Sequence, residues 1–115
     1  YAIGEKTQTE LVGRPVAGRT YDFAPVIGVF LKEHLFGDIF ERDILNRQER
    51  ELATVGALAG IGNVNAQLTS HMRVSMNTGI SAEQLQETVR LLGKKAGPAA
   101  GSNAQRVLDS LLLQK

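Results

Sequence analysis

From Asp22 to Leu113 the apolar residues of this 115-residue chain return at three- and four-residue steps, and nowhere do they alternate. That regularity decides the fold class, because one face of a helix repeats about every 3.6 residues and one face of a strand every two. Phe23, Ile27, Phe30, Leu31 and Leu35 follow the helical step, with Pro25 in a first turn where its missing N–H does no harm. Gly37 and Asp38 interrupt that run, and residues 39–45 read as a connector with room for a short helix. Asn46 as cap and Glu49 three residues on predict a capping box opening a helix to about Ile61. Gly62 and Asn63 then turn the chain into a helix from about Val64 to Thr78, closed by Gly79 in a left-handed cap with Ile80 beside it. Ser81 and Gln84 form a second capping box, ahead of a buried stripe of Leu85, Val89 and Leu92. Gly97 and Pro98 stop the chain before a last helix from about Ser102 to Leu113, with Ala104, Val107, Leu108, Leu111 and Leu112 on one face. The expectation is an all-α fold, a compact bundle of five to six helices.

Tyr1 to Thr20 differ from the rest, with three glycines, Pro15, scattered charges and no sustained apolar period. Residues 1–20 therefore read as an N-terminal arm, packed on a neighbour or loosely held, and residues 21–115 as one helical domain. Ala53, Gly56, Ala57 and Gly60 recur at helical spacing and give the helix ending near Ile61 a face without bulk. Leu52, Val55 and Ala59 make the adjoining face apolar, which predicts a central helix whose small face admits another backbone.

Composition removes whole classes of chemistry. The chain has no cysteine, so thiol peroxidase chemistry, disulfides, iron–sulfur clusters and cysteine-rich zinc sites are excluded. Thirteen basic and twelve acidic residues leave a net charge of +1, which offers no footprint for nucleic acid or an anionic membrane. The longest nearly apolar stretch, Leu52 to Ile61, is too short to span a bilayer. No secretory signal is present and the chain does not open with Met. The cytoplasm is the favoured compartment, although a chain without thiols suits the periplasm equally.

The candidate chemistry gathers on two helices. His71 lies at helical spacing with Val64, Leu68, Met72 and Ser75, and Gln67 stands one turn before it on the same side. Glu51 is eleven residues before Gly62 and His71 nine after it. At about 1.5 Å rise per residue, a tight antiparallel hairpin brings the two side chains to within about 3 Å in height. A carboxylate that orients an imidazole is the ordinary equipment of general acid–base catalysis. Arg47, Arg50 or Arg73 could hold an anionic substrate. The alternative is structural: a histidine bonded at the edge of a core, and a glutamate that favours the start of its helix. His34 is a second candidate, following Glu33 in an amphipathic run. Two histidines 37 positions apart form no ligand motif, so no metal is expected.

Three stretches carry a family resemblance: "FLKEHLFGDIF" from Phe30, "RELATVGALAGIGNVNAQLTSHMRVSMNTGISAEQLQE" from Arg50, and "AGPAAGSNA" ending at Ala104. In that order they resemble the carboxymuconolactone decarboxylase family, relatives of the alkylhydroperoxidase D proteins. The resemblance implies an all-α fold that self-associates, as a homotrimer or homohexamer, with sites near subunit contacts. The peroxidase branch works through Cys-x-x-Cys on the helix bearing the histidine, and here that stretch reads Asn63-Val64-Asn65-Ala66-Gln67. The decarboxylase branch needs neither cysteine nor cofactor and acts on a small cyclic acid. Glu51 corresponds to the acid of the family's Arg-Glu-Leu motif, and His71 to the histidine before "VSMNTG". Gln67 stands where many members carry an acid or a thiol, and Lys95 where many carry tyrosine.

The resulting expectation is a cofactor-independent lyase or isomerase acting on a small anionic lactone or keto acid. His71 and Glu51 would be catalytic, and Gln67 and His34 would contact substrate. A non-catalytic oligomeric or ligand-binding member of the family is the alternative, and an antioxidant role would require peroxide turnover without thiols.

Overall fold

The computed structural model describes residues 1–40 and 42–114, and the chain divides into two compact units, residues 1–47 and 48–115. Helices account for the regular structure, with no strand among the described residues, so the fold is all-α.

In the first unit, α1 (Ala2–Val12), α2 (Arg19–Phe23) and α3 (Pro25–Phe30) precede a π-helix, Leu31–Ile39, on which α1 packs. The stretch expected as an arm thus contains a helix. Its buried residues, Gly4, Thr7, Gln8 and Leu11, sit at i, i+3, i+4 and i+7, a helical stripe too polar to register as apolar. Arg47 donates to the Glu10 carboxylate at 2.7 Å, and that hydrogen bond is the chief reason the Glu10 carboxyl is held below its ordinary value. Pro25 opens α3 as expected, but Ala24 divides the anticipated single helix in two.

Gly37 and Asp38 do not end the helix. The chain runs on through them with bonds one residue wider than an α-helix, as from the Phe40 N–H to the Leu35 carbonyl at 2.9 Å. Gly37 serves a contact instead. A Cβ on Gly4 would fall 1.4 Å from the Lys32 carbonyl oxygen and 2.9 Å from the Gly37 nitrogen, so α1 meets the π-helix backbone to backbone.

The second unit is built from α4 (Arg47–Ile61, whose first residue closes the first unit), α5 (Asn65–Asn77), α6 (Ala82–Lys95) and α7 (Pro98–Leu113). Gly62 at φ 78° and Asn63 at φ 58° make the tight turn between α4 and α5, in a left-handed region that Asn tolerates better than most side chains. α5 ends as its sequence requires. Gly79 has φ 102°, its N–H donates to the Met76 carbonyl, and the Ile80 N–H donates to the Ser75 carbonyl while its side chain is buried. The Ser81 hydroxyl accepts from the Gln84 N–H at 3.1 Å and the Gln84 side chain accepts from the Ser81 N–H at 2.9 Å, completing the second capping box.

α7 begins at Pro98, four residues before the expected Ser102. Pro98 occupies the first helical turn, where its fixed φ suits the helix, so the residue read as a stop is a start. α5 and α7 run alongside each other: Asn65 and Asn103 exchange two amide hydrogen bonds of 3.1 and 2.8 Å, and Arg73 donates to Gln114 at 2.9 Å. Val55 and Ala59 of α4, Leu68 and Met72 of α5, Leu85 and Val89 of α6, and Ala104, Leu108 and Leu111 of α7 form one core.

The small face of α4 does not do what its spacing suggested. Ala53, Ala57 and Gly60 are exposed, and a Cβ on Gly56 would meet only the Leu92 side chain at 4.0 Å. The close approach falls between α6 and α7, where a Cβ on Gly101 would lie 2.5 Å from the Gly93 Cα.

Candidate acid–base site

Helix α4 carries Glu51, Val55 and Ala59 on its buried stripe, at four-residue steps. Two of the three are aliphatic and lock into the core, and the third, Glu51, is carried inward with them. On α5 the buried stripe is Leu68, Met72 and Ser75, with His71 at its edge. The tight turn at Gly62 and Asn63 reverses the chain between these helices, and Glu51 Oε2 lies 2.8 Å from His71 Nδ1. The spacing arithmetic thus brought together the pair that the structure joins.

The two partners differ in environment. The Glu51 side chain is 2% exposed and that of His71 is 38% exposed. An ionised carboxylate can only accept, so with Glu51 in that form the shared hydrogen belongs to Nδ1 and Nε2 is the ring nitrogen left to exchange a proton. No hydrogen bond engages Nε2 among the described residues. The arrangement can therefore accept a proton at Nε2 and deliver one from it, while a buried carboxylate fixes the ring. The Ser75 hydroxyl donates to the His71 carbonyl at 2.8 Å, so the turn that follows His71 is itself tied down.

The other candidates are placed differently. Gln67 sits one turn before His71 on α5 and is exposed. His34 lies in the first unit on the π-helix, 3.6 Å from the Asp38 carboxylate, with its ring 5.2 Å from that of Phe30. Arg47 is bound to Glu10 and Arg73 to Gln114, so neither guanidinium is left for a substrate without giving up a partner. Among the described residues, no three His, Asp or Glu side chains gather as metal ligands would.

A cleft of about 400 Å³ lies elsewhere in this unit, lined by Gln48, Glu49, Leu52, Ile80, Glu83, Gln84 and Glu87. It touches neither Glu51 nor His71. Glu49 and Glu83 stand in the first turns of α4 and α6, where a carboxylate is favoured by the helix dipole alone. The cleft is therefore not where the acid–base geometry lies.

The model of the carboxymuconolactone decarboxylase family matches residues 27–109, a span that contains His34, Glu51, Gln67 and His71. The chain belongs to the carboxymuconolactone decarboxylase family. It is similar to the 4-carboxymuconolactone decarboxylase of Acinetobacter baylyi, with 25% identity over 96% of this chain and 85% of that protein. No helix among the described residues is long and apolar enough to cross a membrane.

Proposed function

We propose that this chain is a cofactor-independent carboxy-lyase or isomerase acting on a small anionic lactone or keto acid. His71 would transfer the proton and Glu51 would orient its ring. The observation that carries the reading is the 2.8 Å contact from a buried carboxylate to the inner nitrogen of a half-exposed imidazole. Family membership and the similarity to a decarboxylase support the reaction class.

In the proposed step, the bond between the substrate carbon and its carboxylate breaks and carbon dioxide leaves. The electron pair passes into the neighbouring carbonyl system as an enolate, and Nε2–H of the protonated His71 ring gives its proton to the carbon. Solvent then returns a proton to Nε2, so that over one turnover the substrate exchanges its carboxylate for one solvent proton. In this scheme Gln67, exposed one turn from His71, offers its amide to a substrate oxygen. No step is assigned to His34, whose partners are Asp38 and Phe30. Self-association as a trimer or hexamer, which the family resemblance implies, belongs to the same reading.

The test is carbon dioxide release from a panel of small lactone and keto acids by the wild type and by His71→Ala. A positioned acid–base group contributes about 10²–10⁴ in rate, and that is the loss expected. Turnover unchanged by the substitution removes His71 from the mechanism.

A further inference from the structure

Helices α4 and α5 are joined at one end by the turn at Gly62 and Asn63, and a polar tie crosses their open end. There the side-chain amide of Gln48, in the first turn of α4, donates to the Thr78 carbonyl at 2.8 Å. Thr78 is the C-cap of α5, and a carbonyl at this end of a helix has no intrahelical donor. The amide comes in over Gly79, where a Cβ would fall 3.1 Å from Gln48 Nε2. The glycine that ends α5 in a left-handed conformation thus also leaves room for the amide.

Thr78 leads back to His71. Its hydroxyl donates to the Ser75 carbonyl at 2.6 Å, and the Ser75 hydroxyl donates to the His71 carbonyl at 2.8 Å. Ser75 is fully buried, so water does not compete for that link. His71 Nδ1 meets the Glu51 carboxylate at 2.8 Å, and Glu51 stands three residues after Gln48, about one turn along α4. Four hydrogen bonds and one helical turn therefore close a ring through Gln48, Thr78, Ser75, His71 and Glu51.

We infer, on the acid–base reading proposed above, that Gln48 is a positioning residue for His71: by holding the end of α5 to the first turn of α4, it keeps Nδ1 of the imidazole on the Glu51 carboxylate. Glu51 is fixed from its own side by Val55 and Ala59 on the buried stripe of α4. The imidazole is 38% exposed and lies towards the end of α5, where water competes for Nδ1 and helices open first. Gln48 acts through Thr78 and not on the reacting nitrogen. Its effect is that of one hydrogen bond of ordinary net strength, about three- to tenfold in the population of the closed contact.

The experiment measures how fast the hydrogen on His71 Nδ1 exchanges with solvent, by NMR of the histidine-labelled full chain without substrate. Gln48→Met keeps the length of the side chain and removes the donor, while Gln48→Glu keeps its shape and, once ionised, can only accept. Both should speed the exchange by about three- to tenfold. Gln48→Lys supplies an N–H donor of similar reach and should return the exchange to the wild-type rate. Thr88→Val removes a hydrogen bond from α6, where the Thr88 hydroxyl donates to the Gln84 carbonyl at 2.9 Å, and should leave the exchange unchanged. Equal acceleration by Thr88→Val overturns the inference, because the effect would then be a general loss of stability. Exchange unaltered by Gln48→Met and Gln48→Glu, or a lysine variant as fast as the methionine one, also overturns it. So does a wild-type hydrogen that exchanges as fast as that of free histidine. With an acid that the wild type turns over, Gln48→Met should lower kcat by the same factor and leave KM unchanged, and a change in KM alone overturns the positioning role. A wild type that turns over no acid removes the reaction proposed above and leaves the exchange rates to decide for Gln48.

Discussion

Removing His71 should cost more stability than altering Glu51, although Glu51 is the more deeply buried of the two. His71→Ala leaves a carboxylate whose side chain is 2% exposed without the donor it faces at 2.8 Å. A buried polar group stranded in this way costs about 1–3 kcal/mol, and more when it is charged. Losing both members of the contact to water would be cheaper, but Glu51 cannot turn outward from a stripe fixed by Val55 and Ala59. Glu51→Gln keeps an oxygen that accepts from Nδ1–H and gives up only the charge assistance, so it should cost about 1 kcal/mol. The imidazole is 38% exposed, and water can satisfy whatever Gln does not. The measurement is urea unfolding at neutral pH, in which about 2–3 kcal/mol for His71→Ala appears as a midpoint lowered by about 1 M or more. A Glu51→Gln variant less stable than His71→Ala would refute the reasoning, because Glu51 would then be held by something other than the histidine.

Two more outcomes follow from other parts of the fold. Gly101→Ala places a Cβ 2.5 Å from the Gly93 Cα and should destabilise by about 1–3 kcal/mol, whereas Gly56→Ala meets only a flexible leucine tip at 4.0 Å and should stabilise by up to about 1 kcal/mol; thermal unfolding of both variants checks the contrast. The Glu10 carboxyl is held below its ordinary value by Arg47, so this ion pair favours the folded state above the unfolded carboxylate value and loses its effect as pH falls through the folded value. Arg47→Gln should bring the Glu10 titration back up towards the ordinary value, as read by carbon-detected NMR, and a titration that does not move would contradict the contact.

Much of the second unit was legible because its signals are local. A Ser-to-Gln capping box, a glycine with a hydrophobic residue behind it, and a short turn each act within six residues, and Ser81, Gln84, Gly79 and Ile80 stand as expected. The Glu51–His71 contact was legible for a related reason: a tight turn converts residue counts into heights, leaving only the facing of two helices to be found. Glycine was harder to read. Its lack of a side chain marks a place that another backbone can reach without saying which backbone comes, so the small face of α4 drew the expectation that Gly93 and Gly101 fulfil. Gly37 raised the same ambiguity, since a glycine that ends a helix and one that admits a neighbour look alike in sequence. α1 stayed hidden because its buried stripe of Gly4, Thr7, Gln8 and Leu11 is mostly not hydrophobic. The π-helix has no sequence period of its own to betray it.

The central claim is that Glu51 holds the inner nitrogen of His71 so that the outer one can exchange a proton with substrate. Nitrogen NMR of histidine-labelled protein tests it at the atoms concerned. The expected result is a hydrogen on Nδ1, donated to Glu51, and a small lactone or keto acid that shifts the Nε2 resonance while Nδ1 stays bonded to Glu51. A ring whose only hydrogen is on Nε2, or an Nε2 resonance that no such acid moves, would contradict it.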